Sequence, residues 1–110
     1  MTGTNTDRIR ELNDAFRRTL LGGRVVMTAG IAAITSDVRA VIVRRVQFFN
    51  AFNQDNDPYE EHEFGNFEEY DYKVYWKIDY YDQTMTFGSE DASDPAKTTR
   101  ILTIMLADEY

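Results

Sequence analysis

The chain has 110 residues, with 12 Lys and Arg against 19 Asp and Glu, one His and no Cys, so its net charge is -7 and its pI about 4.6. One domain spanning residues 1–110 fits that length, and the missing cysteines exclude disulfides, Cys-ligated zinc and thiol catalysis. No run approaches the ~20 apolar residues of a membrane-spanning helix, and the opening MTGTNTDRIR lacks the apolar stretch of a secretory signal, so the expected location is the cytoplasm.

The elements follow in chain order. Asn5 or Thr6 is placed to cap a helix whose apolar positions Ile9, Leu12, Phe16 and Leu20 share one face, with Gly22 and Gly23 as the stop. Asp7 and Glu11 early and Arg17 and Arg18 late complement the helix dipole. Arg24 to Thr28 reads as a short strand ended by Gly30. Ser36 or Asp37 then caps a second helix reaching about Asn50, with Val38, Val41, Ile42, Val46 and Phe49 on one side; its β-branched content leaves a strand through Val41 to Val46 as the alternative.

Asn53 to Gly65 carries Asn, Asp, Pro and Gly turn signals and reads as a loop. Three short aromatic runs follow, Phe67 to Tyr70, Tyr72 to Ile78 and Tyr80 to Phe87, which read as an antiparallel meander. Alternation in the middle run puts Tyr72, Val74, Trp76 and Ile78 on the core face. Gly88 to Asp91 turns the chain. Asp94-Pro95 then signals a final helix through Ile101, Leu102, Met105 and Leu106, with a strand over Ile101 to Leu106 as the alternative, favoured by Thr98, Thr99 and Thr103. The expected fold is α+β: a small antiparallel sheet, made of the short N-terminal strand and a three-stranded meander, packed against two or three helices.

Charge divides the chain. Residues 1 to 50 hold eight Arg and four acids, whereas residues 51 to 110 hold four basic residues and fifteen acids, a net of -11. Asp55, Asp57, Glu60, Glu61, Glu63, Glu68, Glu69 and Asp71 fall within seventeen positions that contain no Lys or Arg. Free nucleic acid is a poor partner for such a surface, and a cationic protein surface is its complement. A disordered acidic tail is excluded by composition, because thirteen of the fifteen aromatics lie between Phe48 and Phe87, interleaved with the acids.

Catalytic and metal sites are weakly signalled. Carboxylates with His62 are chemically able to bind a metal or act in acid–base catalysis, but the spacing matches no calcium loop, no second His exists, and no Gly-rich phosphate loop follows a strand. No cofactor is implied, and a metal-assisted hydrolase built on His62 stands as an alternative. WKIDYYD, Trp76 to Asp82, holds residue types enriched at interfaces. Trp76 reads as core; Tyr80 and Tyr81 are candidate contacts for a dedicated protein partner of an antitoxin-like module.

The blocks NDPYEEHEFGNF, WKIDYYD, FGSEDASDP and TRILTIMLADEY, together with RIRELNDAFRRT near the start, resemble an uncharacterised family of small acidic bacterial proteins. The resemblance carries no catalytic or binding residues. It implies a setting on plasmids and other mobile elements, beside genes that counter host defence. By analogy, the expected function is inhibition of a nucleic-acid-binding defence complex, anti-CRISPR or anti-restriction, by a monomer or homodimer without direct contact to nucleic acid or membrane. The eight carboxylates from Asp55 to Asp71 are the expected phosphate surrogates, with Tyr80 and Tyr81 as further contacts.

Overall fold

The computed structural model describes residues 5–110. The first apolar stripe forms α1 (Asn5–Thr19). Its stop is not the glycine pair: Leu20 adopts a positive φ of 59°, and its amide donates back to Phe16 O at 2.7 Å, closing the helix before Gly22. β1 (Gly23–Met27) follows, and a short helix, α2 (Ala29–Ala32), takes in the Gly30 expected to end the strand. The Glu109 carboxylate near the C-terminus reaches α2, accepting from Gly30 N at 2.9 Å and Thr28 Oγ1 at 2.6 Å.

The second long helix, α3 (Ser36–Gln47), forms despite its β-branched content. Thr35, one residue before the expected caps, holds the N-cap position, and its hydroxyl bonds the Asp37 carboxylate instead of the helix amides. The helix stops at Gln47 rather than Asn50. Arg17 of α1 explains the early stop, because its Nε donates to Val46 O and its Nη2 to Phe49 O, each at 2.9 Å, capturing carbonyls at the helix end.

The sheet departs from the expected meander at all three strands. β2 (Phe64–Glu69) starts inside the segment read as loop, and β3 (Tyr72–Tyr81) runs unbroken through Tyr80 and Tyr81, which were read as opening a separate strand. No strand runs from Asp82 to Phe87. There the Asp82 carboxylate accepts from Thr84 N, Thr84 Oγ1 and Thr86 N, which curls the chain. The third meander strand is β4 (Thr99–Leu106), where the final helix was expected. The Asp94-Pro95 signal is genuine, since Asp94 caps Ala96 N at 2.9 Å, but it yields only a single turn of 3₁₀ helix, Pro95–Lys97, before the β-branched run takes over.

The strand order is β1-β4-β3-β2. β2, β3 and β4 pair antiparallel, whereas β1 joins β4 in parallel, so the sheet of this α+β fold is mixed. A parallel pair needs a crossover, and α3 with the β2–β3 hairpin supplies it. Register aligns Val25 with Leu102, Leu102 with Ile78, and Ile104 with Trp76, which brings Trp76, Ile78, Leu102 and Ile104 onto one buried face. Phe16, Ile31, Ile42, Val46 and Phe49 from the helical half pack on it. Each such side chain contributes about 1.5–3 kcal/mol on burial. Gly65 is required at its position, because a Cβ there would lie 2.5 Å from Trp76 Nε1 and 2.8 Å from the Phe49 ring. Among the described residues no helix is long and apolar enough to cross a membrane.

Arg17 is 1% exposed and lies under Trp76, its guanidinium carbon 4.9 Å from the ring centroid. Substituting Arg17→Met keeps the apolar contact but leaves two buried carbonyls without donors. We expect a stability loss of about 2–3 kcal/mol, measured by urea denaturation followed through Trp76 fluorescence; an unchanged midpoint would contradict this role.

Candidate functional site

The site grows from the side of α1 that faces the sheet, where Asn13 and Arg17, one helical turn apart, are both buried. Asn13 Oδ1 accepts from Arg100 Nε at 2.7 Å, and its amide nitrogen donates to Tyr80 Oη at 2.8 Å and Glu61 O at 3.0 Å. Tyr80 in turn donates to Glu61 Oε1 at 2.8 Å. Burial pushes the Tyr80 hydroxyl well above the usual phenol range, so it remains a donor. Arg100, 4% exposed, also donates to Ala92 O, and burial lowers its pKa. A helix, two strands and the long loop thus meet in one hydrogen-bonded cluster.

Asp14 extends the cluster toward the surface. Its carboxylate lies 3.3 Å from Arg17 Nη2 and 2.9 Å from His62 Nδ1. The His62 ring stacks on Phe52, with centroids 3.8 Å apart and planes 3° off parallel, and its Nε2 faces Asp57 Oδ2 at 3.6 Å. Asp57, 5% exposed, also accepts from His62 N at 3.0 Å. Glu60 and His62 both hold positive φ, near 58° and 55°. For residues with a Cβ that conformation persists only where surrounding bonds impose it. Here the Asp57 bond to His62 N and the donation from Arg10 Nη1 to Glu60 O at 2.9 Å supply the constraint.

The loop before them folds on itself. Asn53 Oδ1 accepts from the amides of Asp55 and Asn56, and Asn56 Oδ1 in turn accepts from Asn53 N. A polar cavity of about 750 Å³ opens beside it, walled by Arg10, Phe52, Gln54, Asp57, Glu60 and His62. Both imidazole nitrogens face carboxylates, which makes the ring a bridge between α1 and the loop. Among the described residues no group of three or more His, Cys, Asp or Glu side chains is arranged to hold a metal ion.

The eight acidic residues separate into two sets. Asp55, Glu60, Glu68 and Asp71 are exposed, and none forms an ion pair among the described residues. Glu60 lines the cavity and Asp55 adjoins its wall at Gln54, while Glu68 and Asp71 stand near the β2–β3 turn. The other four have partners inside the molecule: Asp57 with His62, Glu61 with Tyr80, Glu69 with Arg45 at 3.1 Å, and Glu63 with Glu61. Tyr80 is half-buried with its hydroxyl committed, while Tyr81 is half-buried at the end of β3 on the opposite sheet face. Asn13, Asp14, Arg17 and Arg100 were not singled out from sequence as site residues. The i,i+4 pair Asn13 and Arg17 beside Phe16 on an otherwise apolar stripe was the available signal.

A family profile described as "Protein of unknown function (DUF3768)" matches residues 27–109, three-quarters of the chain. The chain belongs to that family. No curated protein and no solved structure matches it. The matched stretch of this DUF3768 protein contains the loop, His62, Tyr80 and Arg100, while Asn13, Asp14 and Arg17 precede it.

Glu63, which immediately precedes β2, has its pKa raised from 4.5 to about 7, first by burial and then by Glu61, Asp57 and Asp79. A raised carboxyl pKa means that the folded state holds the proton more tightly. The stability Glu63 contributes is therefore complete below about pH 4.5 and is lost as pH climbs toward 7. After allowance for solvent screening, Glu63→Gln should exceed the native chain in stability by about 1 kcal/mol at alkaline pH and converge with it in acid. Urea denaturation across that range measures the difference; a pH-independent gap would contradict the assignment.

Proposed function

We propose that the protein is a non-catalytic interaction protein of a mobile element, which inhibits a host nucleic-acid-handling defence complex of the anti-CRISPR or anti-restriction type by setting carboxylates in its cationic channel. The observation that supports this reading is the exposure of Asp55, Glu60, Glu68 and Asp71, none of them in an ion pair among the described residues, in the half of the chain with a net of -11. Surface carboxylates of this kind are free to meet Lys and Arg that normally hold phosphates.

One pair, Asp55 and Glu60, precedes β2, and the other, Glu68 and Asp71, lies at its far end and in the turn beyond it, so the pairs stand in for two separate phosphate positions. Asp57, Glu61 and Glu69 then serve to hold the loop and hairpin that carry them. The DUF3768 family itself names no activity, and the mobile-element setting comes from the sequence resemblance alone.

The test is DNA binding by purified CRISPR effectors and restriction enzymes from a host bacterium, assayed with and without the protein. Inhibition of one of them should weaken as salt rises, because exposed charges are screened over ~8 Å at physiological ionic strength. It should also fall at least about tenfold when Asp55, Glu60 and Asp71 are changed to Lys. Inhibition that survives both changes, or no inhibition of any complex, would contradict the proposal.

A further inference from the structure

A second surface, sharing no lining residue with the polar cluster's cavity, has different chemistry. Between the C-terminal half of α3 and β2 runs a groove of about 730 Å³. Its helix wall is Val41, Arg44, Arg45 and Phe48, which recur at the spacing of one helical face, and its strand wall is Asn66 to Glu68. We propose that this groove binds a linear peptide by strand addition: an extended segment of a partner protein lies along β2, with an apolar side chain on Phe48 and Phe67 and an acidic side chain on Arg44.

The edge of the sheet is open here. β2 is the outermost strand, and Ile78 N donates to Glu63 O at 2.8 Å. Antiparallel alternation from that bond turns Gly65, Phe67 and Glu69 toward β3, and turns the backbone groups of Phe64, Asn66 and Glu68 away from the sheet. Glu68 O does point outward, because Arg45 Nη1 reaches it from α3 at 2.6 Å. Asn66 offers its outward N–H and C=O beside the groove, and among the described residues no further strand lies there to take them.

The side chains define the occupant. Phe48 is 57% exposed and Val41 39%, an apolar surface that a passing side chain would cover. The Arg44 guanidinium carbon lies 5.4 Å from the Phe48 ring centroid, and Arg44 has no carboxylate within ion-pair distance among the described residues, whereas Arg45 is already engaged by Glu69 and by the Phe67 ring at 4.4 Å. A cation in the groove is therefore unneutralised, which favours an acidic side chain in the peptide. Charged residues at the end of the strand, Glu68 and Glu69, are the kind that blunt an edge against pairing with a second copy of the chain.

The test is selection of a random hexapeptide phage library on the whole protein, followed by titration of the consensus peptide into ¹⁵N-labelled protein. The expected result is a consensus with an acidic residue near an apolar one, and amide shifts centred on Asn66, Glu68 and the last turn of α3. Affinity should fall about tenfold or more in both Arg44→Glu and Phe48→Ala. Asn66→Pro should abolish binding while circular dichroism stays unchanged, because an outward N–H on an edge strand is dispensable to the fold. Failure to enrich any peptide, a consensus without acid, shifts elsewhere, or full affinity in Arg44→Glu would overturn the proposal. So would self-association in sedimentation velocity that Asn66→Pro removes. None of these variants changes a carboxylate of the channel-blocking reading, so this proposal can fail while that reading stands; Glu68 alone belongs to both surfaces.

Discussion

The structure depends on the polar side of α1, buried where an amphipathic helix would ordinarily present only apolar groups. Arg17 binds the carbonyls at the end of α3, and Asn13 binds Arg100 of β4 and Tyr80 of β3. A buried guanidinium is costly unless its donors are matched. Two carbonyls, the neighbouring Asp14 and the faces of Trp76 and Phe52 provide the match here. Apolar packing alone tolerates some sliding of a helix on a sheet, whereas these directional bonds admit one placement.

That placement decides what the acidic loop looks like from outside. Asp14 carries the α1 network to His62, and Asn13 carries it to Glu61, so the loop is anchored at two successive residues. Glu60 and His62 hold left-handed backbone conformations under this constraint, and Glu60 is left lining a polar cavity with Asp55 next to its wall. Half of the carboxylates in the run from Asp55 to Asp71 have partners inside the molecule, and the other half are exposed, in two small clusters.

Much of this was legible from the sequence. The period of α1, the core face through Val74, Trp76 and Ile78, and the β-branched run at Thr99 to Leu106 each leave a local signature, although Tyr72, expected on that face, is exposed at the start of β3 and the Asp94-Pro95 cap pointed away from the last strand. That cap governs three residues; propensity and pairing with β3 and β1 govern the next eight-residue strand. The break in β3 was misplaced because Tyr80 and Tyr81 look like either the end of one strand or the start of another, and the stop depends on the side-chain bonds of Asp82. The polar cluster was invisible for a different reason. Asn13 and Arg100 are 87 positions apart, and nothing local marks an asparagine as the partner of a distant arginine.

The central claim is that Asn13 and Arg17 fix the acidic loop through α1. Hydrogen exchange in Asn13→Ala tests it most directly, because the loop amides and the strand amides are read in one experiment. The account predicts that amides from Asp57 to Glu63 lose protection selectively, while those of β4 opposite β1 and β3 exchange as slowly as in the native chain. Equal loss of protection everywhere, or an unchanged loop, would contradict it.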